Sequence, residues 1–351
     1  MAEKILMKGN EALGEAAIIA GCRYYYGYPI TPQNEIPAYM SRRLPEVGGT
    51  FLQAESEVAA INMVFGAAAA GARVMTSSSS PGVSLKQEGI SYLSGARLPA
   101  VVVNMMRGGP GLGNIAGAQG DYFQGTRGGG NGDYRTVALG PATVQELADM
   151  TVKAFDIADR YRVVVTILGD GFLGQMSEPV ELPDESSQTV EKPWALTGAK
   201  GRDSNIVASL RLKPDDALEQ LNWELQDVYK QIEENERLSE SYRTDDAEYI
   251  LVAYGTSSRI CRTAVRDLRK EGVKVGLFRP ISLWPFPTPE LQKAVEGVRN
   301  VLTVEMSAGQ MSEDVQLALG GSGVETDFYG RLAGMFPDVE EIKRRVKSYG
   351  K

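Results

Sequence analysis

Three segments of this chain place ligand-facing side chains on short, stiff loops. Gly-Tyr-Pro-Ile-Thr-Pro at 27–32 sets the Thr31 hydroxyl between two prolines. Pro29 and Pro32 fix their own φ and push Tyr28 and Thr31 toward extended backbone. By itself this is only a turn that ends a strand. The acidic residues downstream give it chemical interest: Glu55 and Glu57, one residue apart in Phe-Leu-Gln-Ala-Glu-Ser-Glu, stand at the start of an alanine-rich helix. Arg107 then opens Arg-Gly-Gly-Pro-Gly-Leu-Gly (107–113). A guanidinium suits a bidentate grip on a carboxylate, and glycines let backbone approach a ligand closely. Arg107 could equally serve a surface ion pair. A serine-rich stretch, Ser77 to Gly82, adds hydroxyls and amides.

The chain contains no histidine. That removes the Ser-His-Asp triad, the Cys-His pair and histidine-ligated metals together. Acid–base chemistry must come from carboxylates, Lys, Tyr or a cofactor. Cys22 and Cys261 are too few for an iron–sulfur cluster or structural zinc and read as small buried residues.

The elements that must position these loops alternate strand and helix, the pattern of a parallel α/β sheet. Asn10 is the expected N-cap of a helix ending at Gly21. Tyr24–Tyr26, Arg73–Thr76, Ala100–Asn104 and Arg162–Leu168 read as strands, and a helix runs from Ser56 to about Gly71. The three loops then fall at the C-terminal ends of parallel strands, on the edge where such sheets bind ligands. From Ser186 to Asp246 the chain is charged and poor in glycine. Pro214 suits a helix start, and Leu218, Leu221, Leu225, Val228 and Ile232 follow at helical spacing, as in a packing or bridging helix. A second α/β unit begins at Glu248, with strands expected at Tyr249–Tyr254, Lys274–Phe278 and Asn300–Glu305 and a helix following the first of them through Ala264 and Leu268 to Gly272.

The 351 residues suffice for two or three domains, and a hydrophobic content of 43% with 23% charged residues is that of an ordinary soluble protein. A net charge of -8 argues against nucleic acid or an anionic membrane as partner. No apolar run is long enough to span a bilayer, and Met1 to Lys8 has no signal-peptide core, so a cytoplasmic protein is expected.

Taken together, the segments resemble the alpha subunit of 2-oxoacid:ferredoxin oxidoreductases. The resemblance rests on Gly-Tyr-Pro-Ile-Thr-Pro (27–32), Ser56-Glu57 before the alanine-rich helix, and Ser-Pro-Gly (80–82). Arg-Gly-Gly-Pro (107–110), Gln-Gly-Asp (119–121) and Asp-Gly-Phe-Leu-Gly-Gln (170–175) extend it over nearly the whole chain. Within that family it is nearest the branched-chain (3-methyl-2-oxobutanoate) enzymes, with 2-oxoglutarate enzymes close by. The resemblance implies a thiamine diphosphate pyrimidine-binding domain (1–185), a charged helical linker (186–246) and a transketolase C-terminal-like α/β domain (247–351). It implies a cofactor shared with a beta subunit that holds the diphosphate and Mg2+. Iron–sulfur and gamma-type subunits would pass electrons to ferredoxin, and coenzyme A would accept the acyl group. Leu-Gly-Asp-Gly (168–171) is like the opening of a diphosphate–metal motif, but the next asparagine is Asn205, so Asp170 reads as a turn residue and no metal ligand is assigned.

The resemblance also assigns residues. Glu57 would share a proton with the cofactor's aminopyrimidine, with Glu55 as the fallback. Tyr28, Pro29, Ile30, Ser80 and Gly82 would contact the cofactor. Thr31, Arg107 and Gly108 would bind the 2-oxoacid, Thr31 near its oxo or carboxylate oxygens and Arg107 at its carboxylate. Selectivity for the side chain would fall to Tyr28, Met105, Met106 and Leu112. Two other readings stand beside this one: a non-catalytic scaffold subunit of such a complex, and an NAD-dependent dehydrogenase suggested by Gly111-x-Gly-x-x-Ala116. The second lacks a catalytic histidine and a strand–turn–helix context.

Overall fold

The structure, a computed structural model, describes residues 4–182 and 190–350. The expected boundary at 185/186 lies outside the described residues. The first part of the chain runs β1 (Ile5–Lys8), α1 (Gly9–Ile19), β2 (Tyr24–Gly27), α2 (Glu35–Glu46), β3 (Thr50–Gln53), α3 (Glu57–Ala69), β4 (Val74–Ser78) and α4 (Pro81–Gly95). It continues through β5 (Ala100–Met106), α5 (Tyr122–Arg127), β6 (Val137–Leu139), α6 (Val144–Tyr161), β7 (Val164–Asp170), α7 (Gly171–Gln175) and β8 (Ser177–Val180). Then come α8 (Ala217–Asn235), β9 (Ser239–Tyr242), β10 (Tyr249–Val252), α9 (Gly255–Lys270), β11 (Val275–Pro280) and β12 (Ser282–Trp284). The remainder is α10 (Thr288–Ala294), β13 (Asn300–Glu305), α11 (Gln310–Ala318), β14 (Glu325–Gly330) and α12 (Val339–Ser348).

A seven-stranded sheet has the order β12-β6-β7-β5-β4-β2-β3, and a five-stranded sheet the order β14-β13-β10-β11-β9. Pairing is parallel in both except at one edge each, where β12 runs against β6 and β9 against β11. β4, β5 and β7 are buried throughout and read as continuous apolar or small-residue runs, as parallel strands covered on both faces must. From β2 the chain passes to β3 on one side and then returns to β4 on the other. β2 and β4 pair through only Tyr24–Val74 and Tyr25–Met75. Their C-terminal ends therefore diverge, and a crevice opens where the winding reverses.

Several elements depart from the sequence expectation. α1 begins at Gly9 with Lys8 in the capping position, so Asn10 lies inside the first turn, fully buried, and caps nothing. Ser77 and Ser78 belong to β4, and only Ser79 and Ser80 separate it from α4. Gly255 to Ser258, at the end of the strand expected over Tyr249–Tyr254, form the first turn of α9. α8 buries Leu221, Leu225, Tyr229 and Ile232 against the first core, while Leu218 stays half exposed. Cys22 and Cys261 are free and buried. Among the described residues no helix is long and apolar enough to cross a membrane.

The two sheets share a seam. Gln119, fully buried, donates from Nε2 to Tyr254 O (2.9 Å) and accepts at Oε1 from Ser257 Oγ (2.7 Å) and Met306 N (2.9 Å). Arg279 grips Glu146 through both terminal nitrogens (2.9 and 2.7 Å). Met106, Tyr122 and Leu168 of the first unit share one apolar cluster with Ile250, Tyr254 and Phe278 of the second.

Candidate functional site

Local sequence explains how the turn after β2 is held. Its two prolines lack an N–H, so the loop cannot bind itself firmly through its amides. Its carbonyls are instead fixed from outside. Arg107 Nη1 donates to Thr31 O (2.9 Å), and Pro32 O accepts from both Asn10 Nδ2 (2.9 Å) and Gln175 Nε2 (3.0 Å). Gln33, fully buried, donates from its backbone to Ile30 O (3.2 Å) and accepts from the Ser77 hydroxyl. Ser77 also bonds Tyr25 OH at 2.6 Å. Thr31 itself is exposed, and among the described residues its hydroxyl meets only Asn34 Nδ2 at 3.5 Å, leaving it available to a ligand. Tyr28 and Pro29 are exposed and Ile30 is half-buried beside it.

Glu57 and Glu55 part company in the structure. Ser56 caps α3 by accepting from Ala59 N (3.2 Å), which makes Glu57 the first helical residue. A carboxylate there is favoured by the helix dipole. Glu57 is only 6% exposed, whereas Glu55 faces solvent. Among the described residues no donor reaches the Glu57 carboxylate. Its Oε1 lies over Gly82 on α4, where a Cβ would stand 2.6 Å from it and closer still to Ser78 Oγ. The buried hydroxyls of Ser78 and Ser79 likewise lack partners. Two buried hydroxyls without partners, beside a carboxylate that no donor of the described residues reaches, form a polar cradle.

Arg107 closes the cradle at the end of β5. It is 7% exposed, and no carboxylate of the described residues pairs with it, so the surface ion pair is set aside. Nη1 and Nη2 donate to Thr31 O and Leu112 O (2.9 and 3.0 Å), while Nε is buried without a partner. Its backbone N donates to Ser80 Oγ (3.0 Å). Ser80, held at φ 20°, donates that hydroxyl to Asp121 Oδ2 (2.5 Å) and its amide to Asn104 Oδ1 (2.9 Å). Asn104 Nδ2 also reaches Asp121 Oδ2, at 2.9 Å. Burial pushes the Asp121 carboxyl above its ordinary range, against the pull of the donors on Ser80 and Asn104. Ser80, a non-glycine residue outside the usual backbone regions, is thus overdetermined by its neighbours, as strained site residues are.

The structure thus gathers Thr31, Glu57, Ser80, Gly82 and Arg107 at one sheet edge. Gly108 joins them differently from expectation. Its amide and carbonyl are engaged inside the loop with Ala116 O and Asn114 N, so they are closed to a substrate. A Cβ there would come within 3.0 Å of Ala333 Cα, so the glycine admits the second unit's backbone. Met105 and Met106 are buried in the core and cannot face a substrate; Leu112, 82% exposed, and Ile115, 65% exposed, form the apolar tips of that loop. Residues 111–116 are loop, with no helix following them in the dinucleotide-binding manner. Asp170 caps α7 through Phe172 N (2.9 Å) and Leu173 N (3.1 Å). Sequence reasoning missed Asn10, Gln33, Lys86, Asn104 and Asp121; for Asn10, Lys86 and Asn104 the available signal was a polar residue embedded in an apolar or glycine-rich helix or strand, and Gln33 and Asp121, in connecting segments, offered none. A cavity of about 440 Å³ opens at Thr31, Ile115 and Phe172, and one of about 620 Å³ lies between Ser80, Gly109–Gly111 and Met306–Gln310.

A parallel sheet with a crevice at its winding reversal, and a carboxylate without a protein donor beside it, define an α/β protein that binds a ligand at the C-terminal edge of its sheet. Residues 15–247 match the pyruvate flavodoxin/ferredoxin oxidoreductase, thiamine diphosphate-binding family, and residues 247–342 match pyruvate:ferredoxin oxidoreductase core domain II. The chain belongs to this family of 2-oxoacid:ferredoxin oxidoreductases and is an oxidoreductase subunit. It is 50% identical, over 97% of both chains, to ketoisovalerate oxidoreductase subunit VorB of Methanothermobacter thermautotrophicus. It is 35% identical, over 99% of both, to 2-oxoglutarate synthase subunit KorA of Methanothermobacter marburgensis. The structure of 2-oxoglutarate:ferredoxin oxidoreductase from Magnetococcus marinus is similar over 100% of this chain and 66% of its own, with 26% identity and a TM-score of 0.88. A split-gene transketolase shares the fold alone, at 12% identity and a TM-score of 0.57.

Proposed function

We propose that this chain is the alpha subunit that supplies half of the active centre for oxidative decarboxylation of a branched-chain 2-oxoacid, 3-methyl-2-oxobutanoate, to acyl-CoA and CO2. The observation that carries this reading is the Glu57 carboxylate, buried without a donor above Gly82, at the edge that also holds Thr31 and Arg107. That cradle fits the aminopyrimidine of thiamine diphosphate, which needs one carboxylate at a ring nitrogen. When bound, the cofactor supplies the nucleophilic carbon and the electron sink for decarboxylation. Glu57 then holds or releases a proton at that nitrogen, in a site dry enough to strengthen the contact. The Ser78 and Ser79 hydroxyls and the 28–30 backbone line the ring's bed, with Ser80 and Gly82 beside them. Arg107 receives the substrate carboxylate through its unpartnered Nε, and Thr31 donates to an oxo or carboxylate oxygen.

The 1–185, 186–246 and 247–351 division follows from the same reading. A beta subunit brings the diphosphate and Mg2+ site, iron–sulfur and gamma-type subunits carry electrons to ferredoxin, and coenzyme A takes the acyl group, in the cytoplasm. The apolar tips Leu112 and Ile115, and a 107–117 loop whose one cation is Arg107, favour an aliphatic side chain over the second carboxylate of 2-oxoglutarate. The 50% identical ketoisovalerate relative supports the same choice. A scaffold would have no use for the unpartnered groups. The test is a panel of 2-oxoacids given to the assembled enzyme with coenzyme A and a viologen acceptor. The expected order puts 3-methyl-2-oxobutanoate first; faster reduction with 2-oxoglutarate overturns the substrate, and no reduction with any 2-oxoacid overturns the activity.

A further inference from the structure

Lys86 is a lysine where the fold has little reason to keep one. It is fully buried on α4, and among the described residues no carboxylate lies within ion-pair distance of its ammonium. Nζ donates to Thr76 Oγ1 (2.7 Å) and Ser77 O (3.0 Å), both on β4. Isolated buried charges are costly, and such a group normally has a partner or a task.

Its place on the helix shows what it faces. Gly82, Lys86 and Gly89 share one face of α4 by their i, i+4 and i+3 spacing. On α3, Glu57 and Ile61 share the opposing face in the same way. A Cβ at Gly82 would crowd Glu57 Oε1, and one at Gly89 would lie 2.7 Å from Ile61 Cγ1. Two glycines thus draw the helices together, and Lys86 sits between them, one turn from the glycine that underlies the carboxylate. From β4 it meets the Thr76 hydroxyl and the Ser77 carbonyl, while Tyr25 OH bonds the Ser77 side chain; from α3 the charged group acting on it is Glu57.

We propose that Lys86 is a positioning residue for Glu57: its ammonium ties α4 to the Thr76–Ser77 segment beneath the cradle and so fixes the α4 face on which the Glu57 carboxylate rests. Burial pushes the lysine down to about 7, and the Glu57 charge opposes that shift. Through Ser77 the same ammonium is joined to Gln33 and hence to the Thr31 turn. The inference rests on the reading of Glu57 as the cofactor's carboxylate, and its test separates the two.

The experiment is a double-mutant cycle on the full chain, Lys86→Met in the parent and in the Glu57→Gln background, followed by thermal melting. A melting temperature lowered by several degrees more in the parent than in the Glu57→Gln background is expected, because only the parent keeps a buried carboxylate to lose its counter-charge. Equal losses in the two backgrounds overturn the proposal. Failure of Lys86→Met to fold in the parent alone supports it; if it folds in neither background, Lys86→Gln, which retains a donor toward Ser77 O, carries the same cycle, a larger loss in the parent supporting the proposal and equal losses overturning it. In the assembled enzyme, Lys86→Met should lower kcat several-fold while leaving the KM for the 2-oxoacid unchanged. An unchanged kcat overturns the positioning role. Undiminished turnover in Glu57→Gln alone defeats the cofactor reading while the melting cycle still reports the coupling.

Discussion

Two buried glutamates, Glu57 and Glu305, occupy comparable places and have opposite surroundings. Each lies at the C-terminal edge of a parallel sheet, near the start of a helix. Glu305, fully buried at the end of β13, accepts from Ser307 Oγ (2.6 Å), Met311 N (3.1 Å) and Ser312 N (2.9 Å), and so anchors α11. Glu57 accepts from no donor among the described residues. Both are buried, and satisfaction differs. Glu305 is part of the scaffold's own hydrogen bonding; the Glu57 carboxylate takes no part in it. Gln119 repeats the first pattern at the seam between the sheets, and Arg107, with its unpartnered Nε, repeats the second at the cradle.

Substitution can break this contrast. Glu57→Gln should lower turnover of the assembled enzyme by about 100-fold or more, an effect of the size general acid–base groups contribute, with little change in melting temperature. A stability loss with turnover intact would make Glu57 a second Glu305. Arg107→Ala should raise the KM for the 2-oxoacid by roughly 10- to 100-fold, as loss of a charge-assisted hydrogen bond does, read in steady-state assays. An unchanged KM removes Arg107 from the substrate. Glu305→Ala strands two amides and a hydroxyl and should cost about 1–3 kcal/mol in denaturant unfolding, with activity per folded molecule retained.

The smallest effect sharpens the comparison through pH. Burial raises the Glu305 carboxyl above its ordinary range, against the pull of Ser307, Met311 and Ser312. The folded chain therefore holds that proton more tightly than the unfolded one. Its contribution to stability is fully present below the ordinary glutamate value and is lost as pH rises through the raised one. Glu305→Gln should flatten the fall in melting temperature over that window. An unaltered pH dependence would show that Glu305 does not titrate there.

Much of the site was legible because its loops are punctuated locally. Pro29, Pro32, the 107–113 glycines and the Ser56–Glu57 helix start announce their conformations without help from distant residues. The residues that hold those loops were not legible. Asn10 reaches Pro32, Ser77 reaches Gln33 and Ser80 reaches Asp121 across long stretches of chain, and no local pattern records such pairs. α4 escaped for a related reason: Gly82, Ser84, Gly89, Ser91, Ser94 and Gly95 obscure its apolar period, although Gly82 and Gly89 are what allow it to lie against α3. The longer parallel core strands were found, whereas β3, with Gln53 and Leu52 exposed at the sheet edge, and the three-residue β6 and β12 lacked a periodic signal.

The short strand β12 has a practical consequence for anyone dividing the molecule. The two family matches meet at residue 247, but Ser282–Trp284 crosses back to cover the free side of β6. A fragment ending near 247 would carry the Glu57 cradle with a naked hydrogen-bonding edge, an invitation to stick to its own copies. A chimera that exchanges the second unit must therefore import a strand matched to Ala138 and Leu139 of the host. The seam in the family boundaries is a poor place to cut; the two units are one workpiece, joined by a three-residue splice.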